Sequence, residues 1–164
     1  MFYNLSGIPI IEEFEQKYMN SIFALYPHIS NLIINFVTSE QYLELENVTP
    51  IDGLNNDSFA YSCNRLNNTF IGYIIFSPSI CSDINLTQEE YHAALAHEVG
   101  HIVHYFNEAL IGQPQLCQEI KADEVVVKIG LKESLISVLN KLIQSKFCTD
   151  SQCNDMLKRI MWLK

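Results

Sequence analysis

His97 and His101 stand four residues apart in the run His97-Glu98-Val99-Gly100-His101. On a helix, residues four apart project from the same side, one turn above the other. Two imidazoles placed in this way can grip one Zn²⁺. Glu98, one position after His97, projects about 100° round the helix from the ligand side. That offset holds its carboxylate beside a metal rather than on it, within reach of a metal-activated water as general base. A zinc ion that does chemistry needs a third protein ligand and an open fourth position. The run Glu119-Ile120-Lys121-Ala122-Asp123 lies one helical segment downstream. Glu119 there offers the third ligand. Asp123, one turn later, can accept a hydrogen bond from the free ring nitrogen of a liganding histidine and so fix its tautomer.

Three neighbours compete for these roles. Glu124 lies five positions after Glu119 and so points to a different side of its helix. His104 follows His97 by seven residues and shares its side. Helix rise, however, sets it roughly 10 Å further along the axis, too far to share one ion. A structural or substrate-facing role is expected for it. For the oxyanion of an acyl-transfer reaction, Tyr91, Tyr105 and Arg159 are available donors, and the sequence does not choose among them.

The elements that must position these groups are legible in outline. Thr87 followed by Glu90 is a capping box, so a helix is predicted from Gln88 to about Phe106. A second helix is predicted from about Leu116 to Ile129, with Gly130 suited to end it. Leu135, Val138, Leu139 and Leu142 make an apolar stripe for a third helix from Leu131 to Lys146. A last helix spans roughly Ser151 to Leu163. Upstream, Ile10, Phe14, Tyr18 and Ile22 recur through a helix from Pro9 to Leu25. Leu32 to Val37 reads as a strand, and Asp52 to Asn56 as a turn. Phe59 to Cys63 and Phe70 to Phe76 read as hairpin strands joined by an Asn64-to-Thr69 loop, with Pro78 ending the second. The Phe70–Phe76 strand can be an ordinary core strand or can pair with an extended peptide by strand addition. Strands early and helices late make an α+β chain, predicted as one domain over residues 1–164 with a small N-terminal mixed sheet.

Composition narrows the partners. The chain has 164 residues, 48% of them hydrophobic and 18% charged, enough for a sizeable core. Its formal net charge of −9 opposes a nucleic-acid or anionic-membrane surface. The apolar stretch Tyr73 to Ile80 is far too short for a membrane span. The opening residues lack a basic segment followed by a long apolar run, so no secretory signal is expected and a cytoplasmic setting is. The five cysteines are an odd number at irregular spacing, which reads as free thiols in a reducing compartment. Cys148 and Cys153 are the pair near enough in sequence to form a disulfide or part of a second metal site.

The two runs together resemble the CAAX-prenyl-protease-like gluzincins, whose second motif reads Glu-x-x-Ala-Asp. In size the chain is similar to their soluble, single-domain relatives, the minigluzincins. The similarity spans roughly Phe70 to Leu163. It implies a zincin-like fold and a zinc-dependent endopeptidase acting on a peptide or protein substrate. His97, His101 and Glu119 would be the zinc ligands, Glu98 the catalytic base and Asp123 their support. Two departures stand out. The chain lacks the membrane spans of the larger relatives, and Cys153 stands where the family's C-terminal segment carries a histidine. The second departure implies a latent or narrowly targeted activity, with the C-terminal segment itself able to occlude the cleft. The sequence therefore leaves two classes open: an active peptidase, or a zinc-containing regulatory or toxin-type binding module with vestigial activity.

Overall fold

Among the described residues every strand falls in the first half of the chain, interleaved with short helices, and the second half is helical. The computed structural model describes residues 1–46, 48–51, 60–66, 69–76, 82–145 and 148–164. Met1–Asp83 and Ile84–Lys164 form two compact units. The chain is α+β, as the order of its elements indicates. The expected turn at Asp52 to Asn56, Pro78 and Cys81 lie outside the described residues.

The first unit carries β1 (Phe2–Asn4), α1 (Pro9–Phe14), α2 (Asn20–Leu25), β2 (Ile33–Thr38), α3 (Ser39–Leu43), β3 (Ala60–Leu66) and β4 (Thr69–Phe76). The strands make one mixed sheet in the order β1-β2-β4-β3, parallel except for the β3–β4 hairpin. β2 is central and parallel to both neighbours, and its Ile34, Asn35, Phe36 and Val37 are all buried. A parallel strand covered on both sides reads as a near-continuous apolar run, and Ile33 to Val37 is one that only Asn35 interrupts. On one face Phe36 stacks against Phe2 and Phe14. On the other, Val37, Tyr42, Tyr73 and Ile75 form a cluster.

Three details differ from the sequence expectations. The predicted Pro9–Leu25 helix is interrupted by a π-helical stretch at Glu15–Met19 between α1 and α2. Its apolar residues recur every four positions, a spacing wider than the 3.6-residue turn, and a wider turn keeps Phe14, Tyr18 and Ile22 on the buried side. The hairpin is longer than expected: Asn64 pairs with Ile71 and Arg65 with Phe70, so the predicted Asn64-to-Thr69 loop is largely strand. Most consequentially, β4 is flanked by β2 and β3. Its backbone donors and acceptors are committed to those neighbours, so strand addition of a peptide to Phe70–Phe76 is ruled out. The strand is an ordinary core strand.

The second unit is built from helices. These are α4 (Gln88–His104), a short 3₁₀ turn at Glu108–Leu110, α5 (Gln115–Lys128), α6 (Lys132–Gln144) and α7 (Asp150–Leu163). Thr87 and Glu90 form the predicted capping box at the start of α4. The Glu90 carboxylate also accepts hydrogen bonds from Ser137 and, at 2.6 Å, from the Lys141 ammonium of α6. One side chain thus caps the start of α4 and ties it to α6. Burial alone would raise the Glu90 carboxyl, but the bonds from Lys141, Ser137 and Thr87 hold it below its ordinary value. At the other end of α5, Gly130 takes φ +85°. Its N–H bonds the Val127 carbonyl and the Leu131 N–H bonds that of Val126, a Schellman stop that L side chains resist.

α4 and α5 approach unusually closely at one point. A Cβ placed on Gly100 would lie 2.6 Å from the Ala122 carbonyl oxygen and 2.7 Å from its Cα. Both contacts are with backbone, so no rotamer change relieves them. Gly100 and Ala122 are the small residues inside the two chemical runs, and they set the distance between those runs. Replacing Gly100 by alanine should therefore push the helices apart, costing about 1–3 kcal/mol in urea unfolding as overpacked cores do. The same variant should bind metal more weakly. Unchanged unfolding would show that the helices have slack at this contact.

Candidate metal centre

His97 and His101 project from the same side of α4, with their rings 4.7 Å apart and nearly perpendicular. Their Nε2 atoms are separated by 3.1 Å. From α5, Glu119 turns Oε2 to within 3.2 Å of His97 Nε2 and Oε1 to within 3.6 Å of His101 Nε2. Among the described residues, His97, His101 and Glu119 form a group that can hold a metal ion. The donor set fits zinc in kind, two imidazoles and a carboxylate. It also fits in spacing: ligands about 2.0–2.1 Å from a tetrahedral centre stand ~3.3 Å apart.

The tautomer is set from behind. Asp123, completely buried on α5, places Oδ1 2.7 Å from His97 Nδ1. A carboxylate can only accept, so Nδ1 carries a proton and donates it, and Nε2 is the ring atom turned toward His101 and Glu119. Asp123 thus lies against the ring nitrogen of His97 that faces away from His101 and Glu119.

Arg159 completes the cluster from α7. Its Nε donates to Asp123 Oδ2 at 2.8 Å and its Nη2 to Oδ1 at 2.7 Å, a bidentate pair. Its Nη1 donates to Glu119 Oε2 at 3.0 Å. Three guanidinium nitrogens are thus spent on two carboxylates. Arg159, one of the candidate oxyanion donors, bridges Glu119 and Asp123 beside the histidines. The sequence held one hint of this. The chain has two arginines, Arg65 and Arg159, and a buried aspartate beside a liganding carboxylate calls for such a planar fork.

The electrostatics follow from burial and this clustering. For His97, burial and the Arg159 charge oppose protonation, yet the hydrogen bonds to Asp123 and Glu119 outweigh them and raise it to about 9. Burial, then the charge on His97, depresses His101 to about 3. Burial would raise Glu119, but its hydrogen bond with His97 and the charges of His97, His101 and Arg159 bring it down to about 2. With protein groups alone, a proton on His97 occupies the lone pair that a cation needs, so metal entry must displace it. Glu98 is buried beside these groups, and burial lifts its carboxyl to about 7, with the His97 charge pulling the other way.

Other candidates stand apart. Glu124 pairs with Lys121 at 2.6 Å. His104 ends α4 and lies outside the His97–His101–Glu119 group. Tyr105, beyond the helix end, is half exposed with its ring against Phe106. Cys153 turns its thiol toward the Ile143 carbonyl. Cys148 and Cys153 are both free, so the disulfide considered for them is not formed. No helix among the described residues is long and apolar enough to cross a membrane. In comparisons with family models, curated proteins and solved structures, nothing matches this chain.

Proposed function

We propose that this protein is a zinc-dependent endopeptidase, with His97, His101 and Glu119 holding the metal and Glu98 acting as general base. The observation that supports this reading is the convergence of two imidazole nitrogens and one carboxylate from two helices at the spacing of tetrahedral ligands. Bound there, zinc supplies a Lewis acid that polarises the scissile carbonyl and acidifies the attacking water. Glu98 takes the proton from that water as it attacks the carbonyl carbon. It then delivers the proton to the departing amine nitrogen as the C–N bond breaks. Burial, which raises the Glu98 carboxyl, favours its holding that proton between the two transfers. Asp123 keeps the His97 ring turned the right way, and Arg159 prevents Asp123 and Glu119 from repelling each other.

The test is cleavage of an unstructured protein such as casein by the zinc-supplemented full chain. Fragments should appear, vanish with a zinc chelator and return when zinc is restored. A folded, zinc-loaded protein that cuts nothing would instead favour the zinc-containing binding module with vestigial activity.

A further inference from the structure

The start of α7 gathers three sulfur atoms. Thr149 caps the helix, accepting from the Gln152 N–H while Gln152 Oε1 accepts from the Thr149 N–H at 2.9 Å. A capping box of this kind fixes the angle at which the chain enters the helix, and it lays the residue before the cap over the fourth helical residue. Those positions are usually apolar. Here they are Cys148 and Cys153. Burial raises the Cys148 thiol above its ordinary value, and the neighbouring Cys153 raises it further. Met156 follows Cys153 by three residues, on the same side of α7. Its Sδ lies 4.0 Å from Cys148 Sγ. All three residues are half-buried.

We propose that Cys148, Cys153 and Met156 form a binding site for monovalent copper. Two thiols and a thioether are a soft donor set, and soft sulfur ligands select Cu(I) over harder cations. Zinc draws its ligands from thiolate, imidazole and carboxylate rather than thioether, and it takes four. With a metal–sulfur distance of about 2.3 Å, as for thiolates on zinc, a trigonal centre sets its sulfurs ~4 Å apart. The Cys148 Sγ–Met156 Sδ separation is 4.0 Å. Binding is not a redox step: copper stays Cu(I), and the two thiols each release a proton as their sulfurs ligate. The site is independent of the His97 group in both residues and ligand chemistry.

The full chain, zinc-supplemented and reduced under anaerobic conditions, is titrated with the Cu(I)–acetonitrile complex against bicinchoninate. One Cu(I) per chain should be withdrawn from the competitor, with a shell of three sulfurs and no nitrogen in X-ray absorption. Replacing both Cys148 and Cys153 by serine should abolish that equivalent while the far-UV helical signal is kept. Met156→Leu, a volume-conserving change, should keep the copper with two sulfurs instead of three, and it serves if the serine variant does not fold. No copper taken, a nitrogen-containing shell, an equivalent retained without the two cysteines, or an unchanged shell in Met156→Leu would each overturn the proposal.

Discussion

Replacing Arg159 by methionine should destabilise the protein by about 3–5 kcal/mol, the usual cost of breaking a buried ion pair from one side. Asp123 is fully buried and Arg159 nearly so, and two guanidinium nitrogens serve the Asp123 carboxylate. Methionine keeps much of the side-chain volume but leaves that carboxylate with the His97 imidazole as its remaining partner. Desolvation is then offset by one buried partner instead of two. The variant is best compared with the parent in urea, with a chelator present so that a bound cation cannot take over. The midpoint should fall with an unchanged slope, as for a change in stability alone. Pairing Arg159→Met with Asp123→Asn should recover part of the loss, because the stranded charge is then gone. A loss below about 1 kcal/mol would mean that the pair behaves like an exposed salt bridge.

Glu98→Gln should lower peptide hydrolysis by about 10²–10⁴-fold, the range ascribed to a positioned general base. Glutamine preserves the shape of the side chain but cannot accept the proton of the attacking water. Glu98 does not belong to the ligand group, so metal content should stay near that of the parent. Stability should be kept as well. Burial already favours the neutral form of this carboxyl, and an amide adds no charge to be desolvated. Activity on casein, zinc content and the urea midpoint should be measured on the same preparation. Equal cleavage by the variant would remove Glu98 from the reaction; loss of zinc would make it a ligand or its support.

The residues of the candidate metal group were legible because their signals are local. A four-residue spacing places His97 with His101 and Glu119 with Asp123, and the Thr87–Glu90 capping box fixes where the first of those helices begins. Gly130 likewise announced the end of α5. Arg159 was visible as a residue but not in its role, since its partners lie 36 and 40 positions away and no local pattern encodes such a pairing. The close approach of Gly100 to Ala122 was hidden for the same reason. In the sheet, the hairpin could be read from its two apolar runs. The parallel insertion of β2 beside β4 could not, because strand order depends on contacts between distant segments. β1 and α3 were missed because they are short, although Thr38 and Gln41 form a capping box of the same type as Thr87 and Glu90.

The most direct measurement is the zinc content of the full chain after reconstitution and extensive dialysis, followed by X-ray absorption at the zinc edge. One zinc per chain is expected, with a nitrogen and oxygen shell at about 2.0–2.2 Å. The double variant His97→Ala, His101→Ala should lose it while remaining folded. A folded parent that retains no zinc, or a double variant that retains as much as the parent, would contradict the assignment of His97, His101 and Glu119 as a zinc site.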